Sequence, residues 1–241
     1  MIPEWNSFIN ANCMDYLRQM PDKCVSLAIT DPPYGEGVSK GGYMNKPRSN
    51  DVLAKNKDYH LSLWSMARPT EEYFRELQRV SKNQIIWGGN YFADLLPPSQ
   101  CWIVWDKDNG ENDFADCELA WTSFNRAVRQ FTFKWQGMLQ GDMKNKESRC
   151  HPSQKPVALY KWLIENFAAE GDTILDTHVG SASSLIACRE TGHKYIGFEI
   201  DETYYKLAKE RLDRATAQVN IFDLLQPKAE QITMFGESED T

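Results

Sequence analysis

The sequence predicts an α/β fold: a mostly parallel, twisted sheet with helices on both faces. Two observations predict it. Short apolar runs alternate with stretches of helical periodicity along most of the chain, the pattern of strands that return through crossover helices. The alternation restarts cleanly after Pro156, and no internal repeat competes with it. At 241 residues the chain is long enough for one sizeable domain with at most a small inserted lobe.

The elements follow in order. Val25-Ser26-Leu27-Ala28-Ile29-Thr30 reads as a buried strand that stops at Asp31-Pro32-Pro33. A long polar loop follows from Gly35 to about Arg68. Thr70 caps a helix with Tyr73, Phe74, Leu77 and Val80 on its apolar face. Gln84-Ile85-Ile86-Trp87 is a strand ending in Gly88-Gly89, a short helix is expected from Tyr91 to Leu96, and Cys101–Trp105 is another strand. Strands near Glu118–Phe124 and Val128–Trp135 read as a hairpin, and Gly137–Cys150 is polar and basic without periodicity. Pro156 opens a helix carrying Val157, Tyr160, Leu163, Ile164 and Phe167 on one side. Thr173-Ile174-Leu175 enters the small-residue turn Gly180-Ser181-Ala182-Ser183, and a helix from about Ser184 to Glu190 stops at Gly192. Tyr195-Ile196-Gly197-Phe198 is a strand ending at Glu199, and Tyr204, Leu207, Ala208 and Leu212 mark an amphipathic helix.

Composition narrows the class. Apolar and charged fractions of 41% and 25% are ordinary for a globular protein. No window approaches 18 uninterrupted apolar residues and Met1–Asn10 has no signal-peptide pattern, so a cytoplasmic protein without a membrane partner is expected. The six cysteines include no Cys-x-x-Cys pair, which points to reduced thiols and to no metal site. A net charge of −7 disfavours a nucleic-acid partner, yet its distribution is uneven. Residues 38–68 carry six lysines and arginines against Asp51 and Asp58, and residues 122–160 carry seven against Asp142 and Glu147. Such basic segments suit phosphate contacts, or are simply solvated loops.

The most informative motif is Thr30-Asp31-Pro32-Pro33-Tyr34-Gly35, placed where an open α/β sheet binds its ligands, at a strand's carboxyl end. It reads either as a strand-ending turn or as a site. The site reading has its own logic. An amino group conjugated to a base ring is a poor nucleophile, because its lone pair is delocalised. The Asp31 carboxylate and the Pro32 carbonyl together can accept its two N–H bonds and favour a pyramidal nitrogen. Pro33 helps fix that carbonyl, which is electrostatic preorganisation rather than acid–base chemistry. Tyr34 offers a stacking face for a flipped base. A second motif, Asp176-Thr177-His178-Val179-Gly180-Ser181-Ala182-Ser183, lies between a strand and a helix, where small residues admit a ligand to the helix N-terminus. Glu199 ends the next strand, where an acidic side chain can accept both hydroxyls of a ribose or stand solvated.

These segments carry a resemblance. Asp31-Pro32-Pro33-Tyr34 resembles the catalytic tetrapeptide of the DNA amino-methyltransferases, and His151-Pro152-Ser153-Gln154-Lys155-Pro156, Asp176–Ser183 and Gly197–Asp201 resemble that family's cofactor segments. The order, catalytic tetrapeptide first and cofactor turn last, is similar to the circularly permuted β group. The resemblance implies a Rossmann-like S-adenosylmethionine-dependent methyltransferase fold with an inserted target-recognition region. It implies one catalytic domain over 1–220, a DNA-contacting loop at about 35–68, an insert at about 107–150 and a tail over 221–241. By position it makes Asp31, Pro32, Pro33 and Tyr34 catalytic. It places Asp176, Thr177, Gly180 and Ser181 at the methionine end of S-adenosyl-L-methionine, Glu199 at the ribose, Asn12 and Cys13 near the adenine ring, and His151, Ser153 and Lys155 on the other side, with Asp31 bordering the cofactor too. Aspartate at the first motif position implies N6 of adenine in double-stranded DNA, with N4 of cytosine or a catalytically weak DNA- or clamp-binding relative as alternatives. A homodimer is also implied. The chain departs from the family pattern at Thr177, His178, Ala182 and Ser183, and His178 is expected to pack rather than touch the ligand. Gln231-Ile232-Thr233-Met234-Phe235 resembles the short peptides that dock on the bacterial sliding clamp; an edge strand or a disordered end is the favoured account of it. No Pro-Cys dipeptide occurs, which removes the thiol nucleophile expected of C5-cytosine methylation.

Overall fold

In the computed structural model the described residues are 1–35, 68–110, 115–136 and 139–225, with side chains as far as residue 217. Most of the expected DNA-contacting loop and the peptide Gln231–Phe235 lie outside them. The chain runs β1 (Ser7–Asn10), α1 (Cys13–Leu17), β2 (Val25–Thr30), α2 (Glu71–Val80), β3 (Ser81–Trp87), β4 (Trp102–Asp106), β5 (Cys117–Thr122), β6 (Arg129–Thr132), β7 (Trp135–Gln136) and β8 (Leu139–Gln140). It continues through α3 (Val157–Phe167), β9 (Thr173–Asp176), α4 (Ser183–Glu190), β10 (Lys194–Glu199) and α5 (Glu202–Leu225).

Eight strands form one sheet in the order β1-β10-β9-β2-β3-β5-β4-β6, and β7 and β8 pair separately. Strands β1, β10, β9, β2 and β3 are mutually parallel; β10, β9 and β2, inside the sheet, are covered on both faces, which explains their mostly apolar character. Successive side chains alternate between two cores. Leu27, Ile29, Ile85, Trp87, Ile174 and Tyr195 face the core closed by α3, α4 and α5, whereas Ala28, Ile86, Leu175, Ile196 and Phe198 face the one closed by α1 and α2. In α2 the Thr70 hydroxyl accepts the Tyr73 N–H, and Tyr73, Phe74, Leu77 and Val80 are the buried residues, as the 3.6-residue pattern requires.

The connections place the site. From β9 the chain leaves through α4 to β10 on one side, and from β2 through α2 to β3 on the other. Strands β9 and β2 are therefore neighbours whose connections diverge, and such a switch point opens a crevice beyond the strands' carboxyl ends.

Two local expectations are corrected. The strands near Glu118 and Val128 do not form a hairpin: β4 lies between them, antiparallel to β5 and parallel to β6. Adjacency in sequence favoured a hairpin, but the Phe124–Val128 connection crosses over β4 instead. Both strands, β5 and β6, belong to the main sheet. In place of a helix at Tyr91–Leu96 there is a 3-10 turn at Gly89–Tyr91 followed by further turns, Pro97-Pro98 leaving too little room for an α-helix. Among the described residues, no helix is long and apolar enough to cross a membrane and no group of three or more His, Cys, Asp or Glu side chains is placed to hold a metal.

Candidate active site

Three acidic residues end, or directly follow, three neighbouring parallel strands: Asp31 after β2, Asp176 on β9 and Glu199 on β10. The Glu199 carboxylate is buried and accepts two backbone N–H groups, from Gly180 at 2.9 Å and Asp201 at 2.9 Å. The Val179 N–H donates to the Phe198 carbonyl at 3.0 Å, so the small-residue turn is fastened to the end of β10. Gly180 has a φ of +56°, and the His151 ring lies 3.5 Å from where a Cβ would stand, so a side chain there meets both backbone strain and the ring. The buried Asp176 carboxylate accepts the His178 N–H at 3.0 Å and the Ser184 hydroxyl. Burial pushes its pKa up to about 7, against those two hydrogen bonds and with the negative charges of Asp31 and Glu199 adding to the rise.

The Asp31 carboxylate is engaged on both oxygens. The Tyr34 hydroxyl donates to Oδ1 at 2.7 Å, and Lys155 Nζ donates to Oδ2 at 2.5 Å. The lysine also meets Glu118 Oε2 at 3.0 Å, and Glu118 Oε1 meets Lys107 Nζ at 2.6 Å. Trp87, the last residue of β3, lies beside the ammonium, 5.3 Å from ring centroid to Nζ. The result is a row of alternating charge, Asp31, Lys155, Glu118 and Lys107, with Lys155 only 4% exposed. Burial alone would raise the Glu118 carboxyl and lower the Lys155 ammonium; the neighbouring opposite charges overturn both, holding Glu118 at about 2 and raising Lys155. The Tyr34 ring stacks on Tyr91 with centroids 4.8 Å apart and planes 21° apart. Gly88, at φ +67°, leaves no room for a side chain, because a Cβ would fall 2.2 Å from the Tyr34 ring.

The remaining expected residues divide between the crevice and its supports. His151 packs edge-on against Tyr204 with centroids 4.3 Å apart, and its Nδ1 meets the Ser153 hydroxyl at 3.0 Å. Burial, reinforced by Lys155, lowers its pKa to about 4, so it is neutral at pH 7. Asn12 caps α1 through its side-chain oxygen, accepting the Met14 N–H at 3.0 Å. Cys13 is buried and its thiol pushed up to about 12, chiefly by burial, so it is no nucleophile at neutral pH. Thr177 turns inward: its hydroxyl bonds Thr30 at 2.8 Å, Tyr73 at 2.7 Å and the His178 ring at 3.0 Å. His178 itself packs edge-on against Tyr73 and is lowered to about 4 by burial.

Glu118, Lys107, Arg211 and Tyr91 were not legible as site residues. Arg211 of α5 donates to the Ser181 carbonyl at 2.6 Å, the Ser183 hydroxyl at 2.9 Å and Glu147 at 2.5 Å, and Glu147 also accepts the Val157 N–H at 2.9 Å. One signal was available: Lys155 stands between Gln154 and a helix-opening proline, and a lysine buried there requires a carboxylate. A cleft lined by Asn6, Ile186, Arg189, Gly192 and His193 opens at the opposite, amino-terminal edge of the sheet and shares no residue with this site.

A doubly wound α/β sheet with a carboxylate-lined crevice at its switch point defines the Rossmann-like class. Within that class the chain belongs to the DNA methylase family of N6 and N4 enzymes, whose model matches residues 97–210. It is 38% identical over 219 residues to YubD of Escherichia coli (strain K12), provisionally named a methylase, covering 85% of this chain and 89% of that protein. It is 28% identical over 259 residues to the type II methyltransferase M.HpaI of Haemophilus parainfluenzae, covering 91% of this chain and 77% of the relative. The fold is shared with M1.HpyAVI, solved as a complex with SAM (TM-score 0.55, 18% identity, 86% of this chain and 98% of that one). It is shared as well with the cytosine-N4-specific PvuII DNA methyltransferase (TM-score 0.53, 14% identity, 89% and 91%).

Proposed function

We propose that this DNA methyltransferase transfers a methyl group from S-adenosyl-L-methionine to N6 of an adenine flipped out of duplex DNA. The supporting observation is the placement of Asp31-Pro32-Pro33-Tyr34 on the strand next to the one carrying Asp176 and the Gly180 turn, with Glu199 one strand further. The residues fit the cofactor. A crevice bounded by Asp31, Asp176 and Glu199 suits a ligand with an ammonium and a sulfonium, and a cation there would stabilise the ionised form of Asp176, which burial raises to about 7. Glu199 keeps lone pairs for ribose hydroxyls beyond its two backbone bonds. Asp176 and the Gly180–Ser181 turn hold the methionine end, and Asn12 and Cys13 border the base of the cofactor. When bound, S-adenosylmethionine supplies a methyl group on an electrophilic sulfonium.

The chain does the rest. Asp31 and the Pro32 carbonyl accept the N–H bonds of the target amine and turn its lone pair outward, with Pro33 fixing the backbone. Tyr34 stacks on the base through the ring face that Tyr91 leaves uncovered. Flipping costs a few kcal/mol, offset by pocket contacts. Lysines and arginines of residues 38–68 and 122–150 grip phosphate, and the motif order is that of a permuted β-group enzyme. Aspartate at position 31 favours adenine, and the likeness to an N4-cytosine enzyme keeps cytosine N4 as the second reading. Digesting DNA treated with the protein and separating the nucleosides decides between them. N6-methyladenine is expected; N4-methylcytosine in its place overturns the adenine assignment.

A further inference from the structure

The charge row beside Asp31 poses a problem for the reaction. Methyl transfer moves positive charge from sulfur onto the target nitrogen, and the Asp31 carboxylate is the group placed to favour that nitrogen. In the structure Lys155 Nζ sits 2.5 Å from Asp31 Oδ2 and compensates the carboxylate, while the Tyr34 hydroxyl occupies Oδ1. An ammonium there also stands where an amine must arrive. Yet Lys155 already holds a second carboxylate, Glu118 Oε2 at 3.0 Å, on β5. Glu118 is kept ionised between two ammoniums, so it is an acceptor of full charge. Lys107 at 2.6 Å from Glu118 Oε1 fixes that acceptor in place.

We propose that Lys155 is a latch on Asp31 and that Glu118 is the positioning residue that draws the latch back: when the target amine enters, the ammonium passes from Asp31 to Glu118 and leaves Oδ2 to the amine N–H. No covalent bond changes in this step: Nζ gives up its hydrogen bond to Asp31, keeps Glu118 Oε2, which it already meets at 3.0 Å, and the lysine stays protonated throughout. The inference rests on the role of Asp31 given above and holds for either target base. It assigns work to two residues, Glu118 and Lys107, that lie far from every motif in the chain.

The test is a double-substitution cycle. Glu118→Gln keeps the side-chain shape but removes the charge that attracts Lys155. Methyl incorporation from labelled S-adenosylmethionine into unmethylated bulk DNA should fall at least tenfold in kcat, with the cofactor Kd within twofold of the parent. Adding Lys155→Met to Glu118→Gln should recover more than half of that loss, since no ammonium then remains to block Asp31. A purely structural ion-pair row predicts the opposite, a double variant as slow as the single one or slower, and that result overturns the proposal. A second readout is independent of turnover. In 15N-lysine-labelled protein, the Lys155 ammonium resonance, identified by its loss in Lys155→Met, should shift on adding DNA and should not shift in Glu118→Gln. An unmoved resonance in the parent protein overturns the hand-over. If the parent protein transfers no methyl group, or Asp31→Ala transfers at the parental rate, the role of Asp31 itself falls and the latch with it. Failure of the cycle in an otherwise active, Asp31-dependent enzyme removes the latch alone.

Discussion

Tyr34 is held by more than its ring. Stacking on Tyr91 orients the plane, Gly88 closes against the ring, and the hydroxyl donates to Asp31 at 2.7 Å. The sequence assigns Tyr34 a stacking face alone; the structure adds a hydrogen bond to a charged acceptor, a kind of bond worth about 1.5–3 kcal/mol. Tyr34→Phe should therefore slow methyl transfer by about tenfold, the low end of that range. Tyr34→Ala, which loses the ring as well, should be slower still. Equal rates for the two variants in a steady-state assay would show that stacking has no part. The same scale explains what could be read in advance. Asp31, Asp176 and Glu199 were legible because each ends or follows an apolar run, where position along the chain fixes position in space. Lys155 was legible as a site residue but not as a partner of Asp31, because 124 residues separate them and only the sheet brings them together.

Among the elements, α4 carries the clearest local strain. Its N-cap, Ala182, is fully buried with φ +65°, a left-handed conformation that costs a non-glycine residue on the order of 1–2 kcal/mol. Ala182→Gly relieves the strain but loses a buried methyl worth about 0.8 kcal/mol, so stability in urea unfolding should stay within about 1 kcal/mol of the parent. Ala182→Val adds a branched side chain in a closed core and should destabilise by about 2 kcal/mol or more. A stable valine variant would mean that the turn can leave its left-handed state. Helix α5 acts on this turn through Arg211, which ties Ser181, Ser183 and Glu147 together. Arg211→Ala leaves Glu147 partly buried without its charge partner and should cost about 3 kcal/mol in the same measurement. Unchanged stability would show that the clamp is incidental. Elements with a clear period were legible from sequence, α2 down to its four buried residues. The β5–β6 arrangement was not, because hairpin reasoning assumes that consecutive strands pair, whereas β4 sits between them. That one topological fact is what places Glu118 beside Lys155.

At the scale of the whole molecule, the buried carboxylates of the crevice should be felt in stability. Asp176 is raised to about 7 in the fold, against about 3.9 for an unstructured aspartate. Between those values Asp176 binds more protons in the folded state than in the unfolded one, so its contribution to stability falls as pH rises through that window. His151 and His178, lowered to about 4 by burial, pull the other way over the same window, so without cofactor Asp176 acts as a drag on the melting temperature from about pH 4 to pH 7 that Asp176→Asn should remove. An identical slope in the variant would remove Asp176 as the source of that drag. A cationic ligand favours the ionised carboxyl, so S-adenosylmethionine should raise the melting temperature more at pH 8 than at pH 5.

The central claim is that Asp31 directs the target amine and borders the cofactor without carrying its affinity. The direct measurement pairs methyl incorporation into DNA with calorimetric binding of S-adenosylmethionine, for the parent protein and Asp31→Ala. Incorporation should drop at least about a hundredfold, the scale on which loss of one preorganised electrostatic partner slows an enzyme, while the cofactor Kd changes by less than about threefold. Parental incorporation by Asp31→Ala would contradict the account.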